Sequence, residues 1–212
     1  MAESLTTHQS AGERSRQTIL ETAARLATVE GLDGLTIGKL AEAVGMSKSG
    51  LYAHFKSKED LQLATIAMAR EIFDREVTDP GQSAAPGATR VLALCDAFLA
   101  HVEDGVYPGG CFFVAAAAEM NARPGEIRDH IAQFVAEWLG AIATAVEQAR
   151  ELGEIEPQVE PGQLAFEINA LLSAANLAYP LFGDPTVLHV ARKAIAERLD
   201  TPADEATRGP IS

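Results

Sequence analysis

An all-α fold is predicted for this chain, and three observations predict it. Apolar residues recur at helical spacing along nearly the whole of its 212 residues, while the alternation expected of strands is almost absent. Alanine is abundant and aromatic residues make up only 6% of the chain, against 47% hydrophobic residues overall, a balance that favours helices. Gly and Pro cluster between the periodic segments, where they punctuate helices rather than interrupt them. About nine helices are expected, in two parts: a small module over 12–60 and a larger helical domain over 61–200, with tails at 1–11 and 201–212 read as disordered.

The first helix is expected over 14–30, with Ile19, Ala23, Leu26 and Ala27 on one face and Gly31 at its end. Ser10 and Glu13 have capping-box spacing before it. A short helix follows, its apolar face made by Ile37, Leu40, Ala41 and Val44, and Gly45 supplies the left-handed residue that stops it. Ser47 then caps a second short helix, read as 48–55, which Leu51 and Phe55 anchor. Small residue, glycine and apolar anchor in this order are what two helices crossing over a tight turn require. Lys48, Ser49, Gly50, Tyr52 and His54 are left facing outward, with cation, hydroxyl and backbone donors and little bulk, which suits a DNA groove.

Ser57 caps the next helix, expected to run through Leu61, Ile66 and Phe73 to Val77 and to stop before "DPGQSAAPGA" (79–88), the best linker candidate. Further helices are expected over 88–104, over 111–121 ("CFFVAAAAEMN", apolar on every side), and over about 28 residues from Gly125 to Leu152. The last two are read over 162–178 and 185–199, separated by "YPLFGDP".

The phrase "LYAHFKSKEDL", together with Gly31, Thr36, Ile37, Ala41, Gly45, Ser47, Leu51, Tyr52, Phe55, Lys58 and Leu61, resembles the TetR family of one-component bacterial repressors. The resemblance covers about 50 of the 212 residues, and many typed positions agree in register. It implies an N-terminal helix-turn-helix domain, a C-terminal sensing domain without a fixed sequence, and a homodimer that holds a palindromic double-stranded DNA operator. A small-molecule effector, unidentified, would release the DNA. On this reading Ser47, Lys48, Ser49, Gly50, Tyr52 and His54 face the DNA. Thr36, Lys39 and Lys58 add contacts, Thr36 and Lys58 because helix N-termini suit phosphates. Recognition helices would enter major grooves about 34 Å apart or somewhat more.

A net charge of −13 is unusual for such a role, so its distribution matters. The first 60 residues are nearly neutral, and four of the five lysines (Lys39, Lys48, Lys56, Lys58) surround the turn. DNA binding needs cations opposite phosphates, not a basic average. No motif for an enzyme is found: no nucleophile elbow, no phosphate-cradling glycine loop, no HExxH, no paired metal-ligand spacing. No catalytic residue, metal or cofactor is therefore expected. The longest uncharged run, between Glu167 and Asp184, is shorter than a membrane span, the opening residues lack an apolar stretch, and the two cysteines are unpaired in spacing. These features point to the cytoplasm and away from a membrane partner.

Two sets of residues in the larger domain complete the expectation. Leu164, Ile168, Leu171, Leu172 and Ala175 on one terminal helix, and Leu188, Ala191 and Ile195 on the other, are the candidate dimer surface. Met68, Phe98, Phe112, Phe113, Met120, Phe134, Trp138 and Tyr179, with His101 and Asn176 as polar members, are candidates to line an effector pocket. Cys111 follows "PGG" at a helix start, where the dipole lowers a thiol pKa; redox or electrophile sensing through it stands as an alternative to inert packing. A ligand-independent DNA-binding regulator is the other alternative.

Overall fold

The computed structural model describes residues 11–200, and within them every regular element is helical. Both tails, and the Ser10–Glu13 capping box, lie outside the described residues or depend on them; Ala11, assigned to the tail, opens α1. Helices α1 (Ala11–Glu30), α2 (Ile37–Val44) and α3 (Lys48–Tyr52) form the small domain. Helix α4 (Lys58–Phe73) leads into the larger one, built with α5 (Asp79–Gln82), α6 (Ala88–Glu103), α7 (Phe112–Met120), α8 (Glu126–Glu151), α9 (Pro161–Phe182) and α10 (Thr186–Asp200).

Caps set the boundaries of the small domain. Thr36 Oγ1 accepts from Lys39 N, Ser47 Oγ from Gly50 N at 3.1 Å, and Ser57 Oγ from Asp60 N at 3.0 Å. The Asp60 carboxylate reaches back past the cap to accept from Lys56 N at 2.8 Å, a variant of the capping box. Gly45 adopts φ 67°, ψ 28°, and Met46 N reaches Ala41 O at 2.9 Å, the hydrogen bond that ends α2. Leu51 and Phe55 are wholly buried with Leu40 and Leu61.

Three sequence expectations need correction. The recognition helix ends at Tyr52 and not at 55, although Phe55 still packs in the core. The stretch 79–88 is not a linker throughout. Helix α4 widens into a π-helical turn (Asp74–Thr78) and α5 follows directly, so the chain stays helical to Gln82. The wider turn and a position at the start of α5 spare Pro80 a lost hydrogen bond. Gly81 is buried against Leu94 so closely that an added Cβ would lie 2.4 Å from it, so glycine here permits contact rather than a break. Finally, α9 runs through Pro180 to Phe182 and stops at Gly183, whose φ is 65°. Pro180 sits in the last turn, where one missing donor costs little.

The two domains meet along α1, α4 and α7. Glu119, near the end of α7, accepts from Leu32 N at 2.6 Å and from Asp33 N at 3.0 Å, the loop that joins α1 to α2. Gln62 Nε2 donates to Leu32 O at 2.9 Å from α4. Asp33 also pairs with Lys58 at 2.6 Å and Arg123 at 2.8 Å, and these two cations hold its carboxyl below the usual range.

Candidate nucleic-acid interface and ligand cavity

The outward face of α3 is built by exclusion. Leu51 and Phe55 consume its apolar contacts, and Tyr52 is left 61% exposed beside exposed Ser47, Lys48 and Ser49. Gly50 is half-buried, and its N–H is taken by the Ser47 cap. His54 is half-buried beside the Phe55 ring. Lys48 makes no ion pair among the described residues, and its Nζ passes over Gly38. Thr36 is exposed, with its hydroxyl engaged as a cap. Lys39 and Lys58 are not free: Lys39 pairs with Glu30, and Lys58 with Asp33. Both pairs are solvated, so each contributes little and a phosphate can compete for the ammonium.

The apolar cavity lies between α4, α6, α7, α8 and α9, is partly open to the surface and has a volume of about 140 Å³. Phe98, Phe113, Phe134 and Trp138, four of the residues offered as pocket candidates, wall it. Phe73 closes one side with its ring 5.0 Å from Phe134 and 5.2 Å from Trp138, edge-on to both. Val114 and Ala117 of α7 complete the wall, and Asn169 and Ser173, one turn apart on α9, supply its polar edge.

The other pocket candidates lie elsewhere. Met68 lines a surface depression between α1 and α4. Met120 lines an open groove between α7 and α8 that shares Ala117 and Val135 with the cavity. Phe112 turns away into the core against Tyr107, and Tyr179 is half-buried on α9. Asn176 is buried, with Oδ1 accepting from Cys111 N at 2.6 Å. His101 is buried with Nδ1 2.8 Å from Glu76; burial pushes its pKa down, against the pull of that carboxylate. Periodicity finds the apolar face of each helix but not which part of that face meets a void. Phe73, Asn169 and Ser173 therefore carried no sequence signal as cavity residues, and neither did Glu119 as the clamp between domains.

Cys111 caps α7 and lines the cavity, and burial overrides the helix dipole. Its pKa rises from 9.0 to about 11, despite backbone hydrogen bonds from Val114 and Phe113 that pull it down. Cys95, buried mid-helix, is pushed up to about 12. Both thiols hold their protons more tightly folded than unfolded. The stability linked to them is full below about pH 9 and is lost as pH rises through 11 to 12. Native protein at pH 8 should therefore resist alkylation at both cysteines equally, by intact mass; rapid selective labelling of Cys111 would show a reactive thiol instead.

The dimer candidates divide sharply. Leu164, Ile168, Leu172, Leu188 and Ile195 are buried inside one protomer, with Ala175 and Ala191 nearly so. These residues form the stripe that packs α9 and α10 onto α6 and α8, so most of the sequence-derived list belongs to the protomer core. The side chains left exposed are Phe166, Leu177 (70%), Leu181, Phe182 (69%) and Val190. Leu171, half-buried, joins Ala175, Ala191 and Val190 along a shallow groove between α9 and α10. Among the described residues no helix is long and apolar enough to cross a membrane, and no acidic, His or Cys cluster could hold a metal ion.

Two family models match the chain: "Bacterial regulatory proteins, tetR family" over residues 19–65, and "Tetracyclin repressor-like, C-terminal domain" over residues 87–195. The transcriptional regulator AcuR of Cereibacter sphaeroides is 23% identical over 155 residues, 71% of this chain and 69% of that protein. The transcriptional repressor AcnR of Corynebacterium glutamicum is 46% identical over 57 residues, 27% of this chain and 29% of its own length. Against AcrR of Shigella flexneri, 42% identical over 49 residues, the match again spans about a quarter of each protein (23%). Of solved structures, a TetR transcriptional regulator from Chloroflexus aurantiacus superposes with a TM-score of 0.83 at 28% identity, covering 90% of this chain and 96% of that one. AibR, solved in complex with isovaleryl coenzyme A and operator DNA, gives 0.69 at 26% identity over 88% and 98%. The matched C-terminal model alone spans more than half of the chain, and with the N-terminal model and the helix-turn-helix geometry it places this chain in the TetR family of bacterial regulatory proteins.

Proposed function

We propose that the protein is a transcriptional repressor that binds a palindromic operator as a homodimer and releases it when a small molecule occupies the cavity of the larger domain. The observation that carries this reading is the position of α7. One side of this single helix walls the cavity with Phe113, Val114 and Ala117, and Glu119 on the same helix clamps the loop between α1 and α2. A molecule that shifts α7 therefore shifts the helix-turn-helix, and its differential affinity for the two positions sets how far DNA is released. AibR, whose structure holds both a small molecule and operator DNA, supports the pairing of the two activities. The exposed apolar side chains of α9 and α10 are the natural dimer contact, since each large one gains roughly 1.5–3 kcal/mol on burial. Work on DNA of this kind belongs in the cytoplasm. The DNA-facing set is Thr36, Lys39, Ser47, Lys48, Ser49, Gly50, Tyr52, His54 and Lys58.

Tyr52→Ala and Lys48→Ala should each weaken binding to DNA flanking the protein's own gene, with the melting temperature almost unchanged, because neither side chain is spent on the core. Lys48→Ala should also reduce the slope of log affinity against log salt by about one. Fluorescence anisotropy with a labelled duplex at several salt concentrations reads both effects. Unaltered affinity in both variants would remove α3 from the interface.

A further inference from the structure

The cavity is chemically selective in a way that assigns a class of effector, an inference that rests on the cavity being the effector site. No charged side chain lines it. Arg70 lies 5.8 Å from the centroid of the Phe134 ring, outside the lining, and is already committed to Glu137 and Asp74. Glu76, likewise outside the lining, is committed to His101. The thiol of Cys111, which lines the wall, stays protonated at neutral pH. An anion or cation entering here would lose much of its water and meet no counter-charge in the lining, which disfavours a charged occupant.

Size narrows the class further. A void of about 140 Å³ is close to the roughly 150 Å³ apolar cavity that takes up one benzene ring. The aromatic walls favour a flat occupant.

One edge is not apolar. Trp138 Nε1 is a donor only, so the Asn169 atom facing it at 3.1 Å must be the carbonyl Oδ1. That pairing fixes the amide and leaves the Nδ2 donors of Asn169 without a partner among the described residues. The hydroxyl of Ser173, one turn further along α9, is likewise unbonded among them. Two donors without a protein partner, at one edge of a neutral aromatic cavity, can both be met by a single acceptor on the occupant.

We propose that the effector is an uncharged, single-ring-sized apolar molecule bearing one hydrogen-bond acceptor, such as an aryl carbonyl, held by Asn169 and Ser173. Three probes of nearly equal size separate the terms: acetophenone, ethylbenzene, which lacks the acceptor, and benzoate, which is charged at neutral pH.

Isothermal titration calorimetry of the full chain should show acetophenone binding, ethylbenzene binding about fivefold more weakly, and benzoate giving no measurable heat. Ser173→Ala should erase much of the preference for acetophenone and leave ethylbenzene affinity unchanged. Asn169→Asp keeps the acceptor for Trp138 but loses the amide donors, and should also reduce the preference. Ala117→Leu fills the void and should abolish binding of all three. Benzoate binding as tightly as acetophenone, equal affinities for acetophenone and ethylbenzene, or no binding by any probe would each overturn the proposal, as would binding that survives Ala117→Leu. Operator binding measured on the same preparation keeps the two readings apart. A protein that binds its operator but no probe refutes only the effector class, and one that binds the probes but no DNA refutes only the regulator.

Discussion

Glutamate at Leu177 should leave the protein folded and separate its subunits, whereas glutamate at Leu172 on the same helix should unfold it. Leu172 is completely buried within the protomer, so a carboxylate there has no water and no partner. The expected cost of about 4–5 kcal/mol or more is a large fraction of the stability of a typical domain. Leu177 is 70% exposed, and Phe182 on the same helix and Val190 on α10 are exposed as well. A charge there costs the protomer little but opposes an identical charge, or an apolar neighbour, across a two-fold contact. Leu177→Glu combined with Val190→Glu should sediment as a folded monomer with native helicity. It should lose specific operator affinity by at least about 100-fold, since a single half-site keeps only part of the contact energy. A double variant that stays dimeric would place the interface on another surface; a soluble, folded Leu172→Glu would show that the α9 core stripe is misassigned.

Glu119→Ala should have the second largest effect. The carboxylate satisfies two backbone donors in the α1–α2 loop, at 2.6 and 3.0 Å, and packs against Gly31, which holds φ 81°. Hydrogen bonds to a charged group contribute about 1.5–3 kcal/mol each, and partial exposure of this site favours the lower end, so a loss of about 3 kcal/mol is expected. The loss should be local first: amide exchange at Leu32 and Asp33 should accelerate while that of α8 and α9 holds. Glu119→Gln, which keeps one acceptor, should fall between the two. Unchanged protection at both amides in Glu119→Ala would show that the clamp contributes nothing to the docking of the small domain.

Apart from the end of its second helix, the helix-turn-helix was legible because its information is local. Ser47 and Ser57 are caps whose partners lie three residues on, Gly45 is needed for its own φ, and Leu51 points inward by periodicity alone; the capping role of Thr36, read from the sequence only as a helix start, was added by the structure. Elsewhere local signals misled. Pro80 and Gly81 read as breakers, but a π-helical turn and the close approach of Leu94 absorb both. Pro180 read as an end, yet α9 continues to Phe182 and thereby exposes two apolar side chains. The N-terminal position of Cys111 left an activated thiol open beside inert packing, and its burial raises the pKa, in line with packing.

By itself, then, the sequence determined the all-helical class, the cap-bounded helix-turn-helix and the helical domain that follows it, because caps, turn glycines and helical period act over a few residues. Tertiary structure alone decided which apolar face of α9 is core and which is free, where the helices leave a void, and that Glu119 reaches the α1–α2 loop. A helix with apolar residues on two sides carries no local mark of which side its neighbours will cover. A void or a clamp exists only once side chains distant in sequence have been packed together.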